Sequence, residues 1–163
     1  MPIHIPFEDF VASAGPEHTK FIANIHSYLQ ENNCIAKIKT AASGYVVSYI
    51  HKPTNKTVLN YIFRKKMPLM RLYADNVNEY EALVNSLPVS MKNTIRAGGD
   101  CKRLTDPTAC NSKCRMGFNF MLDEERQRKC RCHNSFAFFL NDETKPHLFE
   151  LMKQELQARI HNT

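Results

Sequence analysis

No stretch of this sequence approaches the roughly 20 consecutive apolar residues that a helix needs to cross a bilayer. The opening segment, Met1-Pro-Ile-His-Ile-Pro-Phe-Glu-Asp9, lacks a basic region and brings in acid early, so it does not read as a secretory signal. The expected compartment is therefore cytoplasmic, where thiols stay reduced. The phosphate-cradling loops G-x-G-x-x-G and G-x-x-x-x-G-K-[ST] are missing, as are the G-x-S-x-G nucleophile turn and the H-E-x-x-H zinc helix. Each absence removes a common enzyme class, and a non-enzymatic protein is the expectation. There is also no internal repeat, low-complexity tract or composition break, so residues 1–163 read as a single domain.

What is present suits a globular chain. The 163 residues are 43% hydrophobic and 23% charged, close to ordinary soluble proteins, and a chain of this length buries a substantial core. The net charge of +6 and pI near 9.0 permit a polyanionic partner without requiring one.

Residues 1–15 read as a lead-in packed by Ile3, Ile5, Phe7 and Phe10. From Pro16 to Asn33, Phe21, Ile22, Ile25, Tyr28 and Leu29 mark one face of a helix. Strands follow. Cys34, Ala36 and Ile38 alternate with Ile35, Lys37 and Lys39; Tyr45–His51, Val58–Arg64 and Leu69–Ala74 come next. The turns between them are too short for parallel crossovers. Asp75-Asn76 is expected to cap a helix marked by Tyr80, Leu83, Val84 and Leu87. Pro88 opens another over Val89–Ala97, and Gly98-Gly99 closes it in the left-handed conformation. After a polar loop, Asp100–Arg115, a strand pair is expected over Met116–Leu122 and Arg128–Leu140. A final helix spans Thr144–Ile160, with Leu148, Leu151, Met152, Leu156 and Ile160 inward. The order predicts an α+β domain with a mainly antiparallel sheet and helices packed against it. Tyr45, Tyr49, Tyr61, Phe63 and Tyr73 read as packing residues of that sheet; the Lys/Arg-Gly-Phe/Tyr motif of RNA-recognition sheets is absent. Arg64-Lys65-Lys66 reads as ordinary charge in a hairpin turn.

The densest chemistry lies between residues 100 and 133: Cys101, Cys110, Cys114, Cys130 and Cys132, with His133 adjacent. Cys110 and Cys114 share one loop. Cys130 and Cys132, two apart on an expected strand, point to one face. Together these four supply the ligands of a tetrahedral zinc site, with Cys101 as substitute. Lys and Arg around them would compensate thiolate charge. The gaps of three and one residues differ from the usual zinc turn, which leaves other readings open: reduced thiols packed as small hydrophobes, a redox or disulfide pair at Cys130 and Cys132, or an iron–sulfur site. Cys34 reads as a plain core residue. Cys132-His133 cannot pair on a strand, because neighbours face opposite ways. The same segment is basic. Lys102, Arg103, Arg115, Arg126, Arg128, Lys129 and Arg131 form a candidate phosphate-binding hairpin for nucleic acid, or else a solvated face.

The stretch Asp100-Cys-Lys-Arg-Leu-Thr-Asp-Pro-Thr-Ala-Cys-Asn-Ser-Lys-Cys-Arg-Met-Gly-Phe118, followed by Arg128-Lys-Cys-Arg-Cys132, resembles a family of small bacterial cysteine-motif proteins. The likeness runs over Phe63–Leu140 and includes Tyr73-Ala-Asp-Asn-Val-Asn78. The element order is more distantly similar to YdhG-like and MmcQ/YjbR-like α+β domains. The resemblance implies a bacterial cytosolic origin and brings no catalytic residue with it. The function expected from all of this is a small binding or regulatory domain whose cysteine cluster holds structural zinc, with thiol-redox and nucleic-acid-binding roles as alternatives.

Overall fold

Short turns set the architecture. In the computed structural model, which describes residues 4–131 and 135–163, four strands follow one another as a meander: β1 (Cys34–Ala41), β2 (Gly44–His51), β3 (Lys56–Arg64) and β4 (Met67–Leu72). Lys65 and Lys66 both take positive φ, 53° and 63°, between β3 and β4. Such a two-residue turn matches the right-handed twist of the strands it joins. It is tighter than expected, so β4 starts at Met67 and takes in Pro68, which is tolerated at a strand's beginning. Strand β7 (Ala137–Phe139) returns much later in the chain and pairs with β4, giving a fully antiparallel sheet ordered β1-β2-β3-β4-β7. A separate hairpin joins β5 (Phe118–Leu122) to β6 (Glu125–Lys129).

Among the described residues, five helices complete the α+β fold: α1 (Phe7–Ala14), α2 (Thr19–Glu31), α3 (Glu81–Asn85), α4 (Val89–Ala97) and α5 (Thr144–His161). The lead-in is thus a helix, α1, with Phe10 fully buried; Ile3 lies outside the described residues. The alternation read in β1 holds. Cys34, Ala36 and Ile38 face inward, beside Val47 and Tyr49 of β2 and Leu59, Tyr61 and Phe63 of β3. Against that face pack Ile22, Ile25 and Leu29 of α2 and Leu148, Leu151, Met152 and Leu156 of α5. Burial of each such side chain contributes about 1.5–3 kcal/mol. A second part of the same core lies between the β5–β6 hairpin and the helices before it, where Phe118 and Phe120 meet Phe136.

Four local expectations are corrected. The strand expected over Arg128–Leu140 is two strands in two sheets, because the turn at Asp123-Glu124 (φ 48° and 67°) is only two residues long and uses up Glu125–Lys129 as β6. Gly98 is not left-handed: its φ is −63°, and it is glycine because a Cβ there would lie 2.5 Å from Ser135 Cβ. Asp75 and Asn76 make no helix cap; their side chains belong to an ion network described below. In α5, Ile160 is 45% exposed, while Glu155 and Arg159 are buried.

Candidate functional site

The cysteine segment is built around backbone pairing and arginine. Asp100 bridges Lys129, Cys101 N–H donates to Arg128 O at 2.8 Å, and Cys130 N–H donates to Gly99 O at 2.7 Å. Residues 99–101 thereby extend the β5–β6 hairpin on the free edge of β6. Cys101 is buried, and its Sγ accepts the Gly117 N–H at 3.4 Å. A Cβ on Gly117 would fall 2.1 Å from Lys129 O and 2.8 Å from Cys101 Cβ, so only glycine admits this crossing. Cys110 is exposed, Cys114 and Cys130 half-buried. Arg103 ties the loop together by donating to Asn111 O at 3.2 Å and to Cys114 O.

Among the described residues, no group of three or more His, Cys, Asp and Glu side chains is gathered to hold a metal ion. Cys132 and His133 lie outside the described residues, and the zinc reading of Cys110, Cys114, Cys130 and Cys132 turns on the first of them.

Four of the seven basic residues read as a phosphate-binding hairpin are engaged within the fold. Lys129, 5% exposed, donates to Arg96 O, Gly98 O and Asp100 Oδ1 at 2.8–3.0 Å. Arg103 holds the loop as described. Arg115 reaches Asp75 at 3.0 Å, and Arg131 also pairs with Asp75 while stacking over the Phe118 ring. Lys102, Arg126 and Arg128 remain at the surface.

Asp75 is the junction of a network that the sequence reading missed. Besides Arg115 and Arg131 it faces Arg159 at 3.4 Å. Arg159 donates through Nε to Glu155 at 2.8 Å, and through Nη1 and Nη2 to Thr57 O and Tyr73 O. Glu155 is fully buried and accepts from Asn76 N, Asn76 Nδ2 and the Tyr80 hydroxyl at 2.6–2.9 Å. A buried carboxylate persists only when its oxygens are satisfied in this way. The network binds α5 to the sheet and to the cysteine segment. The i,i+4 spacing of Glu155 and Arg159 was a visible signal, but the apolar pattern of α5 assigned both to water.

The other face of the sheet is open along β1 and β2 and at the Arg64–Met67 turn end of β3 and β4, whereas Asn60, Leu69 and Ala137 on it are buried. Pleating sends Ile35, Lys37 and Lys39 of β1 outward, together with Ser48 and Ile50 of β2, Asn60, Ile62 and Arg64 of β3, and Met67 and Arg71 of β4. Ile35, Met67 and Phe139 are 38%, 49% and 36% exposed. A shallow groove of about 410 Å³ runs past Lys37, Lys39, Ser48, Ile50 and Thr57. The charge there is one-sided. Residues 34–74 include Lys37, Lys39, Lys52, Lys56, Arg64, Lys65, Lys66 and Arg71, and no Asp or Glu at all. The rest of the chain carries slightly more acid than base. Residues 101–132 carry eight Lys and Arg against four Asp and Glu, a smaller excess than that of the meander.

Also at the β1 edge of the sheet, a pocket of about 580 Å³ lies between the N-terminal segment and β1. His26 Nδ1 and the Tyr49 hydroxyl are hydrogen-bonded there at 2.8 Å, and Phe7 stacks on the His26 ring. Burial lowers the pKa of the His26 imidazole below its ordinary value and pushes the Cys34 thiol up to about 11. A thiol of that kind is a poor nucleophile, in keeping with the plain core role read for Cys34.

Compared with protein-family models, curated proteins and solved structures, the chain finds no match. The likeness to small bacterial cysteine-motif proteins rests on the quoted residues alone. No helix among the described residues is long and apolar enough to cross a membrane.

Proposed function

We propose that this domain binds single-stranded nucleic acid on the open face of its five-stranded sheet. The observation that carries the reading is the absence of any carboxylate from residues 34–74, on strands whose outward positions hold the exposed Lys37, Lys39 and Arg64. Unopposed cations raise the local positive potential and attract phosphates. Between them lie the hydroxyl groups of Ser48 and Thr57 and the apolar surfaces of Ile35, Ile50, Met67 and Phe139. A duplex presents grooves that admit a helix or a narrow ribbon. An exposed sheet surface fits instead an extended strand whose bases lie against apolar side chains while its phosphates meet the cations. The zinc reading, if Cys132 completes the site, would give the cysteine segment a structural ion and leave this binding surface unchanged.

The test is fluorescence anisotropy with a labelled 12-mer of mixed sequence. The expected result is binding at low salt that weakens at least tenfold in the Lys37→Glu/Lys39→Glu variant. These side chains are exposed, so the variant keeps its fold, checked by circular dichroism. Failure of the wild type to bind, or equal binding of poly-glutamate, overturns the reading; the second outcome points to an acidic protein partner.

A further inference from the structure

Where the open face meets β7, a cavity of about 480 Å³ opens between that strand and α4. Leu69 of β4 and Phe139 of β7 are direct cross-strand partners on its sheet wall, and Met91 and Thr94 of α4 form the opposite wall. Leu69 and Met91 are each 1% exposed, so the floor is apolar. Arg64, on the outward face of β3, stands at the mouth. Ser90, Asn141 and Glu143 bring polar groups to the rim, where the Ser90 hydroxyl donates to the Glu143 carboxylate.

We infer that this cavity receives one base of the bound strand, and that it selects bases bearing an exocyclic amino group. The inference rests on the nucleic-acid reading of the open face and deepens it. The charges divide the labour. A carboxylate at the rim repels phosphate, so the cavity itself does not take the backbone. The Arg64 guanidinium at the mouth does, as a planar fork suited to phosphate oxygens. What enters is therefore flat, apolar on its faces and polar at its edge. Phe139, 36% exposed on the wall, offers a stacking surface. The volume lies within the range of small-molecule sites. Glu143 accepts hydrogen bonds but cannot donate them when ionised. It matches the amino group of cytosine or adenine and faces the O4 acceptor of thymine with like polarity.

The experiment measures anisotropy for the full chain with labelled 8-mers of dC, dA, dT and an abasic strand. The wild type is expected to bind dC and dA on the order of tenfold more tightly than dT, with the abasic strand weakest, as one or two good contacts would give. Glu143→Ala should bring dC and dT together while still binding both better than the abasic strand. Thr94→Trp, which fills the cavity from the α4 side, should reduce all strands to the abasic level. Equal wild-type affinity for dC and dT, or an unchanged ratio in Glu143→Ala, overturns the selectivity and leaves the open-face reading standing. If no strand binds, abasic included, the open-face reading fails and takes the cavity's role with it.

Discussion

Replacing Glu155 with Gln tests whether the buried ion network holds the fold together. Oε1 of Glu155 accepts from Asn76 N and the Tyr80 hydroxyl, and Oε2 from Asn76 Nδ2 and Arg159 Nε. A glutamine has one oxygen and one NH2. Whichever way its amide is turned, the NH2 faces two donors, and Arg159 loses its buried counter-charge. Removing one partner of a buried pair costs about 3–5 kcal/mol. For a domain of this size that lowers Tm by roughly 6–20 °C. Urea denaturation followed by far-UV circular dichroism measures the loss as a lower midpoint at unchanged slope. The Glu155→Leu/Arg159→Leu double variant should be less destabilised than the sum of its single variants by at least about 1 kcal/mol, because the two groups act as a unit. It should stay below wild type, since Thr57 O and Tyr73 O lose the guanidinium. A Glu155→Gln loss below about 1 kcal/mol would refute the reasoning, by showing that the carboxylate contributes little beyond its shape.

Three further outcomes follow from other parts of the molecule. In the native protein at neutral pH, iodoacetamide should modify exposed Cys110 well before Cys34, whose thiol titrates near 11; peptide mapping that finds Cys34 labelled first contradicts the packing of β1. His18, His26 and His51 all have lowered pKa values, chiefly through burial. The unfolded chain then takes up protons that the folded one resists, so stability is constant above the ordinary imidazole range and falls as pH drops below about 6.5; a Tm independent of pH between 7 and 5 would count against the burial of these rings. Gly117→Ala should destabilise by at least about 1 kcal/mol, because its Cβ meets Lys129 O and Cys101; an unchanged urea midpoint would show that residues 99–101 do not pack on β6 as described.

Much of the fold was legible because side-chain alternation is strict where one face is buried. β1 is the clearest instance: Cys34, Ala36 and Ile38 against Ile35, Lys37 and Lys39. Boundaries failed where backbone conformation rather than side-chain pattern decides. Lys65-Lys66 and Asp123-Glu124 adopt positive φ at both turn positions without the glycine that usually announces it. The strand expected to run on from Arg128 could not be divided from composition, since its halves join different sheets. Helix α5 misled in another way. Its apolar pattern put Ile160 inside, whereas three-dimensional partners for Arg159 on β3 and at Tyr73 pull the polar pair inward. Cysteines drew attention to residues 100–133, where Arg103, Arg115, Lys129 and Arg131 turned out to be internal ties. The acid-free meander was readable from the sequence alone. It escaped notice because its cations are spread over four strands and come together only when the sheet forms.

The measurement that bears most directly on the account is the salt dependence of oligonucleotide binding. Lys37, Lys39, Arg64, Lys65 and Lys66 are exposed on or beside the open face. If three to five of them meet phosphates, log K should fall against log salt with a slope of about −2 to −3.5 for a single strand. The Lys37→Glu/Lys39→Glu variant should flatten that slope by at least about 1.4. A wild-type slope near zero, or a slope that the double substitution leaves unchanged, would contradict phosphate contact on this face.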